Sequence, residues 1–139
     1  MGWLFMKKYE NFKKHIEVLE RAGDEDLNNE FIISGIIDKF FVQFELGWKV
    51  LKELMRYEGK AVGATGSPRE IIKAAYGCYD FMEEGIWLSM LKDRNDLAHI
   101  YDEERAKELL DRILKEYIPE FQRLFMGLQD MYGDELRTL

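Results

Sequence analysis

The sequence predicts an all-α fold: an antiparallel up-and-down helical bundle of about five helices, in a single domain over residues 1–139. Three observations predict it. Apolar residues recur at three- and four-residue steps along most of the chain, and no useful stretch alternates with period two. Only 2 prolines interrupt 139 residues, so long helices are permitted almost everywhere. Helix-start signals such as Ser67 to Glu70 and Asp80 to Glu83 stand just ahead of the periodic stretches.

Phe5, Tyr9, Phe12, Ile16 and Leu19 share one helical face and define a first amphipathic helix over about residues 5–22. Gly23-Asp24-Glu25-Asp26 breaks it, with glycine in the stop position. The second helix covers about residues 29–58, roughly 45 Å at 1.5 Å per residue. Its apolar set is Ile33, Ile36, Ile37, Phe40, Phe41, Phe44, Trp48, Leu51 and Met55, a stripe too wide for one contact. Such a helix sits centrally in a bundle or buries a second face against another subunit. Residues 59–66 read as a flexible glycine-rich loop. Ser67-Pro68-Arg69-Glu70 then starts a short helix, with Ser as N-cap and Pro at the first helical position, ending near Tyr76 and Gly77. Asp80 to Glu83 repeats the capping logic before a helix that reaches about His99 and buries Leu88 and Leu91. Asp102, Glu103 and Glu104 place negative charge at the next helix start, where the dipole favours it. The last helix carries Ala106, Leu109, Leu110, Ile113, Tyr117, Phe121 and Leu124, and Pro119 kinks or divides it.

Composition narrows the function. With 47% hydrophobic residues and 9 Phe, 7 Tyr and 3 Trp, the chain has ample core material, which excludes disorder. The lone Cys78 excludes an internal disulfide or a multi-cysteine zinc site and points to a reducing compartment. No apolar run approaches the roughly 20 residues of a membrane span, and Met1 to Lys8 is too short and wrongly charged for a secretory signal. The expected location is cytoplasmic. A net charge of −7 argues against indiscriminate nucleic-acid binding. That charge is unevenly spread: residues 1–48 carry −3, residues 49–73 carry +3 and residues 74–139 carry −7. The basic stretch is either a solvated helix end or a contact surface for phosphate or an acidic partner, with Lys49, Lys52, Arg69 and Lys73 as candidate binding residues.

Chemistry-bearing residues are few. His15 lies on the first helix with no polar partner at a catalytic spacing and reads as a helix-edge residue. His99 differs, because Arg94, Asn95 and Tyr101 surround it in sequence. On a continuous helix Asn95 and His99 share a face, Arg94 swings towards it, and Tyr101 approaches if the helix loosens before Asp102. Arginine grips phosphate as a fork, and histidine, with an ordinary pKa of about 6.5, exchanges protons near neutrality. The cluster suits metal-free phosphodiester chemistry; the alternative is a buried polar tie between helices. No spacing of His, Cys and carboxylates reads as a metal site. No cofactor is expected either, since the glycine-rich loop lacks the ending of a phosphate-binding P-loop and no strand precedes it.

Arg94-Asn95, three residues, then His99 resembles the R-x4-6-H signature of the HEPN superfamily, and Tyr101 extends it to R-x4-H-x-Y. The blocks Phe44-Glu45-Leu46-Gly47-Trp48-Lys49-Val50-Leu51-Lys52, Ser67-Pro68-Arg69-Glu70-Ile71-Ile72, Trp87-Leu88-Ser89-Met90-Leu91 and Tyr101-Asp102-Glu103 are similar to the nucleotidyltransferase substrate-binding branch. The resemblance spans about residues 9–117. It implies a helical bundle whose homodimer brings two Arg/His motifs together across a cleft. It also implies a separate minimal nucleotidyltransferase, encoded nearby, which holds the metal and the transfer chemistry. Related pairs are toxin–antitoxin systems in which the HEPN protein is a metal-independent ribonuclease and its motif tyrosine receives adenylate. Carried over by residue, Arg94 holds the scissile phosphate, Asn95 orients it, His99 is acid or base and Tyr101 is the acceptor. The expectation is an accessory, substrate-binding subunit that takes nucleotide or RNA and has no membrane association. The alternative is a ribonuclease using Arg94 and His99, silenced at Tyr101.

Overall fold

The computed structural model describes residues 2–137, and no strand occurs among them. Helix α1 (Gly2–Leu19) buries Phe5, Tyr9, Phe12, Ile16 and Leu19, the face that its periodicity predicts. It ends earlier than expected, at the last residue of that face, and the chain leaves through a 3-10 turn, Ala22–Asp24. Gly23 lies within that turn and is not a left-handed helix cap.

Helix α2 (Glu30–Tyr57) starts at Asn29, whose Oδ1 accepts the Phe31 and Ile32 N–H groups at 2.8 and 3.3 Å. It packs against α1 and against the helices Val62–Thr65, Pro68–Cys78, Glu84–Asn95 and Glu103–Arg112, so its wide apolar stripe is largely used within the chain. Val50 and Leu54 join the buried set, while Phe41 and Trp48 are only half-buried. Phe31 and Val42 remain exposed. The buried Gln43 amide donates to the Phe12 carbonyl at 2.9 Å and ties α1 to α2. At Gly47 an added Cβ would lie 3.0 Å from the Trp87 ring, so the missing side chain lets Trp87 approach the α2 backbone.

The stretch expected to be a flexible loop contains a one-turn helix, α3 (Val62–Thr65), packed on α2. Its contact depends on Gly63, where a Cβ would fall 2.4 Å from the Arg56 backbone nitrogen. Helix α4 (Pro68–Cys78) opens with the expected capping box: Ser67 Oγ accepts the Glu70 N–H at 3.3 Å, and Glu70 Oε1 accepts the Ser67 N–H at 3.2 Å.

Helix α5 (Glu84–Asn95) departs from expectation at both ends. Glu83 is its N-cap and contributes no side-chain hydrogen bond; Asp80 does not take that role. Instead Glu120, fully buried on the final helix, accepts the Glu83 N–H at 2.8 Å, the Trp87 indole N–H at 3.0 Å and Arg123 Nε at 2.8 Å. Burial raises the Glu120 pKa, and these donors oppose the rise. The fully buried residues of α5 are Trp87 and Met90; Leu88 and Leu91 are half-buried.

At its other end α5 stops at Asn95, short of His99. Asp96 is extended and its carboxylate accepts the Ala98 N–H at 2.9 Å, which nucleates a separate turn, α6 (Ala98–Tyr101). Asp102 repeats the device, accepting the Glu104 and Arg105 N–H groups at 3.0 and 3.3 Å to start α7 (Glu103–Arg112). A π-helical segment, Ile113–Tyr117, leads into α8 (Ile118–Tyr132), which has Pro119 in its first turn. Proline lacks an N–H and crowds the carbonyl four residues back; the wider π turn accommodates both. A 3-10 turn, Gly133–Arg137, follows. These breaks give more elements than the five expected.

Candidate functional site

The segment from Asp93 to Tyr101 joins α5, α6 and α7 through a dense set of polar contacts. Asp93 anchors it. Its carboxylate accepts Arg112 Nε and Nη2, both at 2.8 Å, and the Tyr117 hydroxyl, which also contacts Ser89 Oγ at 2.7 Å. The pairing with Asp93 raises the Arg112 pKa, and burial foremost raises that of Tyr117. The last turn of α5 is thereby fixed to α7 and to the π segment.

One residue on, Arg94 turns towards α2. Its Nη2 lies 2.5 Å from Glu45 Oε1, and its Nη1 donates to Asn95 Oδ1 at 3.3 Å. Glu45 also accepts the Trp48 indole N–H at 3.0 Å and lies 3.9 Å from Lys49 Nζ. Arg94 thus ties α5 to α2 while keeping about a third of its side chain exposed. Arg94 and Asn95 also line a groove of about 370 Å³ between the start of α4 and the end of α5. Arg69 and Lys92 share its walls, and Leu88 and Leu91 supply apolar surface.

His99 lies elsewhere. Only 8% exposed, its ring packs 5.2 Å from that of Phe41, and Nε2 has no hydrogen-bond partner. It lines one cavity with Asp96, Asp102, Arg105 and Arg112, and another with Ser34 and Tyr101; it does not line the Arg94 groove. The break at Asp96 therefore removes the shared helical face expected of Asn95 and His99. Within one chain the structure brings Arg94, Asn95 and Arg69 together, and separately His99 and Tyr101. Tyr101 is 86% exposed on α6. Lys49 reaches the first group only through Glu45. Lys73 pairs with Glu84 at 3.8 Å and, like Lys52, does not line the groove.

Sequence reasoning missed Glu45, Lys92, Asp93 and Asp96 as site residues. Glu45 carried one signal, its four-residue spacing to Lys49. Asp96 carried another, an aspartate two residues ahead of the turn it caps. His15 keeps its helix-edge role, with Nδ1 3.0 Å from the Asn11 carbonyl oxygen.

Among the described residues no group of three or more His, Cys, Asp or Glu side chains is placed to hold a metal ion. No helix among the described residues is long and apolar enough to cross a membrane. No curated protein matches the sequence. The sequence does match the family described as "Nucleotidyltransferase substrate binding protein like" over residues 7–130, from the first helix through most of α8. That span contains α2, the groove and the whole Asp93–Tyr101 junction, and the chain belongs to the nucleotidyltransferase substrate binding protein-like family.

Proposed function

We propose that this chain is the accessory, substrate-binding subunit of a two-component nucleotidyltransferase of the toxin–antitoxin type. It works as a homodimer with a separate minimal nucleotidyltransferase encoded nearby, and its R-x4-H-x-Y motif makes it a HEPN superfamily member. The observation that carries the reading is Tyr101, which α6 lifts into solvent beside His99. A tyrosine that serves only packing is ordinarily covered; one that accepts a nucleotidyl group must be reachable. Exposed Leu97 and Ile100 flank it and give a partner apolar surface to cover.

In the transfer step the Tyr101 Oη attacks the α-phosphorus of ATP. An oxygen–phosphorus bond forms, pyrophosphate leaves and the phenolic proton passes to a base or to water. Incubated with the nucleotidyltransferase and ATP, the wild-type chain gains the mass of one adenylate, and Tyr101→Phe gains none. An unmodified wild-type chain contradicts the acceptor role.

The unpartnered Nε2 of His99 favours a second reading, a metal-independent ribonuclease, because an acid–base histidine needs a free ring nitrogen. Arg94 and His99 line different cavities of one chain, so this activity requires a second copy to bring Arg94 to His99. RNA cleavage in EDTA that His99→Ala abolishes supports it, and equal turnover by both proteins refutes it.

A further inference from the structure

We propose that the acidic cavity bounded by the end of α5, by α6 and by α7 binds a linear polyamine, its ammonium groups held by Asp96, Asp102, Glu104 and Glu108 and by the unpaired ring nitrogen of His99. The proposal goes beyond the accessory-subunit reading and does not depend on it.

The cavity encloses about 370 Å³ and shares no lining residue with the Arg94 groove. Asp93, Asp96, Asp102, Glu104 and Glu108 line it, against two guanidinium groups, Arg105 and Arg112. These cations do not neutralise it. Arg112 is spent on Asp93, whose carboxylate takes both its Nε and Nη2 at 2.8 Å. Arg105 lies 3.8 Å from both Asp96 and Asp102 with more than half of its side chain exposed, so it offsets about one of the two charges. Glu104 and Glu108 are exposed, stand four residues apart on one face of α7 and form no ion pair with any described residue. An excess of three carboxylates therefore faces one concavity. A cleft lined by one sign of charge concentrates small ions of the other.

His99 is the independent sign of a ligand. It is only 8% exposed, its ring forms part of the cavity wall, and its Nε2 has no hydrogen-bond partner. A buried nitrogen left unpaired carries a desolvation penalty that a donor on a ligand relieves. An ammonium group supplies several such donors and satisfies the neighbouring carboxylates with the rest.

The layout of the acids selects the kind of cation. Among the described residues no three His, Asp or Glu side chains are placed to hold a metal ion. The cavity's carboxylates run from Asp93 at the end of α5 to Glu108 in the second turn of α7, and a point ion needs its ligands gathered around one centre. Charges spread in this way suit a ligand that carries several cationic groups along one chain. Leu109 is the one apolar residue among those lining the cavity, enough for short methylene runs but not for an aromatic ring system. The volume lies near the lower end of small-molecule pockets, which fits a single flexible chain.

The test uses the purified full chain alone, at neutral pH and low salt, with spermidine as the probe. Calorimetric titration gives one spermidine bound per chain. The chain has 2 histidines, so nitrogen NMR of the imidazole rings locates the ligand. Spermidine shifts the His99 ring signals and leaves those of His15, on α1, in place. Glu104→Gln and Glu108→Gln each weaken binding about threefold, the scale of one solvated ion pair, and the double variant weakens it about tenfold. Glu17→Gln removes the same charge from the exposed side of α1 and leaves the affinity unchanged. Magnesium chloride at the same ionic strength does not reproduce the His99 shift. Circular dichroism checks that each variant is folded. Absence of binding, equal responses of His15 and His99, equal weakening by Glu17→Gln and Glu104→Gln, or a magnesium-induced shift matching that of spermidine overturns the proposal. None of these results bears on whether a nucleotidyltransferase is the partner.

Discussion

Glu120→Ala lowers the unfolding free energy by about 3–5 kcal/mol in urea denaturation, the scale of stripping one partner from a buried charged network. Glu120 is fully buried, yet it accepts from the Glu83 backbone, the Trp87 indole and Arg123. Removing the carboxylate leaves the buried Trp87 indole N–H and the part-buried Glu83 N–H unpaired, opens a cavity and releases the start of α5, where Glu83 supplies no side-chain cap. Glu120→Gln keeps an acceptor oxygen and costs less, about 1–2 kcal/mol. The pH dependence separates charge from hydrogen bonding. Burial raises the folded-state pKa of Glu120 above its ordinary value of 4.5. Between those two values the folded chain binds more protons than the unfolded chain, so this group's contribution to stability falls as pH rises and recovers on acidification. Wild type therefore gains stability relative to Glu120→Gln as pH is lowered towards 4.5. Parallel pH profiles contradict this account of the buried carboxylate.

Asp93→Ala costs about 2–3 kcal/mol and loosens the motif itself. The substitution orphans the bidentate Arg112 fork and removes one partner of the Tyr117 hydroxyl. The cost stays below that of the buried Glu120 because Arg112 keeps 35% of its side chain exposed and recovers hydration. Tyr117 also retains Ser89. Amide hydrogen exchange locates the effect. Protection falls over residues 91–96, where α5 loses its tie to α7 and the π segment, and holds in α1, which supplies none of Asp93's polar partners. Uniform loss of protection across the chain argues instead for global destabilisation, and an unchanged exchange pattern shows that Asp93 is not the anchor.

These two residues mark the boundary of what the sequence discloses. The buried face of α1 was legible in full, because on an edge helix periodicity and burial coincide. The central place of α2 was legible from the width of its stripe, though Val50 and Leu54 joined the core only through neighbours that local pattern does not name. Pro119 announced a disruption, and the π segment is its form. The α5–α6 break was hidden, since residues 91–101 carry no proline or glycine and the decisive interaction is a single Asp96 carboxylate on the Ala98 N–H. The groove was half legible: Arg69 and Arg94 stood out as candidates, but their meeting depends on how α4 and α5 pack. The Arg94–Glu45 pair spans α5 and α2 and follows from tertiary structure alone. A buried acid such as Glu120 looks like any surface glutamate until Trp87 and Glu83 are placed against it.

Native mass measurement of the tagged chain, purified at natural abundance from its own host, tests the central claim most directly. The account predicts an assembly of two copies of this chain with a small nucleotidyltransferase bound. A monomer that carries no nucleotidyltransferase contradicts it.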